Sequence, residues 1–188
     1  MKKFSPALFV VTVVIGPAAS ADKRPPPEPT ALESFVGQPT VILDLAEVVG
    51  TLESTDASVA VTAIVATDTA NPGVRMTGLR FDLADNAGAD RVYLDATQLA
   101  PLRGDLADIE GGIPELEAGQ AGVNVQGTAA CWMPPRPVRI LCPSYRVGPE
   151  GSSFGLAAYG SRGFSYPGER PAALAALVER AIARLEAP

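Results

Sequence analysis

Two runs of extended-chain residues, "TVILDLAEVVGTL" (40–52) and "ASVAVTAIVATDT" (57–69), flank the polar tetrapeptide "ESTD". Near-alternating valine, isoleucine and threonine favour strands, and the polar residues between them favour a turn, so the pair reads as a long hairpin. A hairpin alone cannot bury its apolar face, so the chain must add strands and a covering layer. "NPG" (71–73) opens the next turn, because proline presets one φ and glycine tolerates positive φ. In "VRMTGLRFDL" (74–83) Val74 and Met76 share one phase while Leu79, Phe81 and Leu83 share the other, which predicts a bulge at Gly78.

A loop, "ADNAGAD", then precedes a short strand, "RVYL" (91–94). Leu99, Leu102, Leu106 and Ile109 carry helical spacing after it, with Asp95 and Gln98 placed as a capping box and "GG" at 111–112 as the stop. The second half repeats this order. "GVNVQGTAACWM" and "VRILCPSYRVG" form one predicted hairpin, "SSFGLAAY" and "RGFSY" another, and a helix follows with a stripe of Leu174, Leu177, Val178, Ala181, Ile182 and Leu185. The predicted fold class is α+β: two tandem ββββα units, 40–112 and 122–188, packed as one globular domain. This order of strands and helices resembles the doubled sheet-plus-helix architecture of PUR-repeat and Whirly proteins. Those proteins bind single-stranded nucleic acid, but the resemblance is one of element order only, and no nucleic acid is expected as a partner here.

Charge opposes such a ligand. The chain carries 15 cationic and 21 anionic side chains, a formal net charge of −6, and an acidic surface repels phosphate backbones and anionic lipid heads. The N-terminus has the parts of a secretory signal peptide (1–21): Lys2 and Lys3, an apolar run from Ala7 to Ile15, and the small triplet Ala19, Ser20, Ala21 before the cut. The apolar run is too short to span a bilayer, so the expectation is a periplasmic or secreted protein with no stable membrane insertion. A proline-rich leader (22–39) follows, whose "DKRPPPEPT" reads as a polyproline II spacer.

Chemistry is narrowed mainly by what is missing. The chain contains no histidine, which removes Ser-His-Asp and Cys-His hydrolases and leaves no zinc set or thiolate base; no metal or cofactor is expected. Two cysteines in an oxidising compartment pair, so Cys131 and Cys142, flanking "WMPPRPVRIL", are expected to form a disulfide clip across the third hairpin. Glu47, Glu53, Asp82, Asp85, Asp90 and Asp95 could supply a carboxylate pair for glycan chemistry, but their spacing singles out none. The loop "DLADNAGAD" fails the spacing of a calcium loop.

"YRVGPEGSSFG" (145–155) is the loop best suited to present backbone N–H groups to an anion, with Ser152, Ser153 and Arg146 at hand. Around it gather Trp132, Arg136, Arg139, Tyr145 and Arg162, together with Tyr159, Phe164 and Tyr166. Aromatic and arginine side chains dominate binding hot spots, yet strand alternation could equally bury the rings and expose the arginines. The functional expectation is a non-catalytic binding or accessory module of the cell envelope, with an envelope protein or small ligand as partner. The alternative is a carboxylate-dependent enzyme acting on a glycan or envelope polymer.

Overall fold

The computed structural model describes residues 28–118, 125–128, 140–148, 151–158, 163–167 and 169–186. The expected signal peptide and the leader up to residue 27 lie outside these. The fold is α+β with two antiparallel sheets. Strands β1 (Val41–Glu53), β2 (Ala57–Asp68), β3 (Arg75–Asp85) and β4 (Gly88–Asp95) lie in sequence order in the first. Strands β5 (Val125–Thr128), β6 (Leu141–Gly148), β7 (Gly151–Ala158) and β8 (Gly163–Pro167) do so in the second.

Among the described residues three helices complete the fold: α1 (Ala31–Val36), α2 (Ala96–Ala118) and α3 (Pro171–Glu186). The first falls inside the expected leader, which is corrected from residue 30 onward. Thr30 caps α1 by accepting from the Glu33 N–H at 3.0 Å, and Leu32 and Phe35 are buried against Ile64 and Ala66. Six residues are too few for a helical period to register in the sequence. Packing on the sheet, rather than propensity, holds this turn and a half together.

The expected bulge at Gly78 is absent. The β2–β3 register runs unbroken through Ile64↔Gly78, and the shifts fall instead in β1, between Leu43 and Leu45 and between Val48 and Gly50. The change of phase has another cause: α1 covers the outer face of the first sheet only near Met76, so the buried side of β3 switches there. Gly78 is the crossing point. A Cβ on it would meet Leu32 Cδ2 at 2.6 Å and would collide with the Leu94 carbonyl oxygen.

Helix α2 begins as read, with Gln98 Oε1 accepting from the Asp95 N–H at 3.2 Å and the Asp95 carboxylate accepting from the Thr97 N–H at 2.8 Å. It does not stop at Gly111 and Gly112. Ile113, fully buried, draws the next turn into the core and carries the helix to Ala118. The two longer helices then cross over. Helix α3, from the second half, packs on β1, β2 and β3, whereas α2 reaches over β5 and β6 while still touching β3 and β4. One core results, joining Phe81 and Leu83 of the first sheet to Phe154, Phe164 and Tyr166 of the second.

Candidate ligand groove

Of the residues expected to form a binding face, Trp132, Arg136, Arg139 and Arg162 lie outside the described residues, as do Tyr159 and Cys131, and so does the expected Cys131–Cys142 pair. Cys142 itself is buried on β6. The described members do not share one face. Tyr145 and Ser152 stand on the inner side of the second sheet, beside Phe154 and Val147, while Arg146 and Ser153 oppose each other on the outer side. Tyr145 is 1% exposed, a core ring and not a contact surface.

The tip of the expected anion loop, residues 149 and 150, also lies outside the described residues. Gly148 pairs with Gly151, whose φ of +112° suits glycine alone, and Ser152 and Ser153 are ladder residues of β7. The buried rings hold polar contacts of their own: Tyr145 donates to Glu117 Oε1, and Tyr166 donates to the Ser58 carbonyl, both at 3.3 Å. Glu117 also accepts from Arg170 at 2.9 Å, and Glu110 accepts from the Ala172 N–H at the start of α3.

Burial, with a smaller push from Asp85, raises the Tyr166 hydroxyl well above the ordinary tyrosine value. Its folded form keeps the proton where the unfolded chain would release it, so stability is full below pH 10 and falls as pH rises past it. Tyr166→Phe is expected to cost about 1 kcal/mol at neutral pH, from the lost hydrogen bond, and to flatten the alkaline fall. Urea titrations of both proteins at neutral and alkaline pH would show whether the two curves converge.

The first sheet presents a more coherent site. Along the outer face of β3 and β4, Arg80, Asp82, Arg91 and Tyr93 occupy the phase opposite to the buried Phe81, Leu83, Val92 and Leu94. Asp82 accepts from Arg80 Nε at 2.7 Å and from Arg91 Nε at 2.6 Å, so one carboxylate holds two guanidinium groups. Arg80 also reaches Thr62 Oγ1 at 3.4 Å, covering a threonine that is 1% exposed. The hydrogen bond and charge of Asp82 raise Arg91 above its usual value.

Between this ladder and α1 runs an open groove of about 590 Å³, lined by Glu33, Asp82, Asp90, Arg91 and Tyr93 with the aliphatic Leu83, Ala84 and Ala89. Tyr93 packs partly against the α1 cluster, which fixes its ring at the groove wall. Sequence reading counted Asp82 and Asp90 only as loose acids. The signal it passed over was the polar phase of two paired strands, where charged and aromatic residues recur at 80, 82, 91 and 93.

The other acids are spread apart. Glu47 is bound by Arg184 at 2.7 Å, Asp95 caps α2, and Glu53 and Asp85 line a shallow acidic hollow at the β1–β2 turn. Burial and the neighbouring Asp108 raise Asp105, on the flank of α2 away from the groove. Among the described residues no three His, Cys, Asp or Glu side chains converge as metal ligands, and no helix is long and apolar enough to cross a membrane. Comparison of the chain with protein-family models, with curated proteins and with solved structures finds no match in any of the three.

Proposed function

We propose that the chain is a non-catalytic binding module exported to the cell envelope, and that it holds a hydroxyl-rich ligand, such as a glycan, in the groove of the first sheet. One observation carries this reading: a ring, three carboxylates and a guanidinium line a single open groove, with the guanidinium fixed in place by Asp82. Hydroxyl groups donate to carboxylates and accept from guanidinium, and a ring face takes the apolar side of a sugar.

The two sheet-and-helix sets are read as a divergent tandem, supported by their identical strand order and by the exchange of helices between sheets. Nucleic acid is not proposed as the ligand, given the net charge of −6.

Calorimetry with soluble envelope glycan fragments tests the reading. Binding to the intact protein is expected to weaken about tenfold or more in Arg91→Ala and in Tyr93→Ala, with melting unchanged in the first and both variants still folded. No binding by the intact protein, or binding that both variants leave intact, refutes it. The disulfide is proposed with the export. A mature chain from Asp22, purified without reductant, should weigh two hydrogens less than its reduced form, and reduction should lower stability by about 3 kcal/mol in the chain-entropy account.

A further inference from the structure

The free edge of β1 carries an unusual concentration of exposed apolar side chains. Among the described residues four large hydrophobics are exposed, and three lie on this strand: Ile42 at 53%, Leu43 at 43% and Val48 at 56%. β1 ends the first sheet and pairs on one side only, with β2, among the described residues. Neither lysine nor proline, the residues that commonly blunt an edge, occurs in it.

We propose that this edge is a dimer interface, taking the same edge of a second copy as an antiparallel neighbour and extending the first sheet across a two-fold axis. The charges argue for a copy of this chain rather than another partner. Asp44, Glu47 and Glu53 lie on β1, and α3, packed against it, brings Arg180 beside Gly50 and Arg184 to Glu47. An edge carrying both signs complements itself when rotated by a half-turn. The arginines of each copy then approach the carboxylates of the other.

The register follows from the irregularities in β1. Shifts after Leu43 and after Val48 confine the regular ladder to Leu45–Val48. Keeping both copies of α3 on the same side of the joined sheet requires residues of like facing to oppose each other, which puts the axis on a residue. Glu47 on the axis would set two carboxylates face to face, whereas Ala46 on the axis sets Leu45 opposite Glu47 of the partner subunit. The proposed axis passes Ala46, which is small and exposed.

Sedimentation or light scattering of the full mature chain at rising concentration is the test, with two variants at that site. Dimerisation is expected, weakened about tenfold or more by Ala46→Lys and untouched by Arg91→Ala. Ala46→Cys should form a covalent dimer on mild oxidation, since paired Cβ atoms on adjacent strands lie about 5 Å apart, while Val74→Cys on the β2–β3 turn should not. Melting curves confirm that the variants fold. A chain that stays monomeric at every concentration, or a dimer that Ala46→Lys leaves unchanged and Ala46→Cys fails to cross-link, overturns the proposal.

Discussion

Alanine at Gly78 is expected to lower stability by about 3 kcal/mol, a large loss for the addition of one methyl group. The new Cβ would press on Leu32 Cδ2 from one side and on the Leu94 carbonyl oxygen from the other. A leucine terminus can turn aside; a backbone carbonyl inside the β3–β4 ladder cannot move without breaking pairing. Urea unfolding would measure the loss, and hydrogen exchange would show α1 amides opening first. Leu32→Ala is costly by itself, because Leu32 is fully buried, but combined with Gly78→Ala it should cost less than the two single losses added, since it relieves the flexible neighbour. A combined loss equal to the sum would mean that the collision is borne by the Leu94 carbonyl alone.

Phe154→Ala is expected to cost about 4 kcal/mol, the usual range for deleting a buried ring. Phe154 is fully buried and lies 6.0 Å from the ring of Tyr166, which in turn donates to Ser58 of the first sheet. The informative result is where the loss appears. Since the two sheets share one core, amides of β2 and of β7 should lose protection together, in one transition. A loss confined to β6–β8 would show two independent units.

Much of this fold was legible because strands and helices announce themselves by period. The runs at 40–52 and 57–69 became β1 and β2 nearly to the residue, and the Leu174 to Ala181 stripe became the buried side of α3. What stayed hidden depended on contacts distant in sequence. Gly111–Gly112 looks like a stop until Ile113 is seen to have a pocket in the core, and residues 31–36 look like leader until Ile64 and Ala66 are in place beneath them. The site was less legible still. Tyr145 and Arg146 are neighbours in sequence but stand on opposite sides of a strand, so a cluster drawn along the chain was divided by the pleat. Arg80 reaches Asp82 along its own strand, but Arg91 is brought to the same carboxylate only by the β3–β4 register.

The exchange of helices sets an order on the birth of the molecule. As the chain emerges from its N-terminus, β1 to β4 can pair early, but the inner side of that sheet must wait for the last 16-residue helix. Until then Val59, Val61 and Phe81 have no α3 above them. A nascent chain is thus sticky for most of its synthesis, and one that loses its final turns is left with an open sheet rather than a slightly shorter protein.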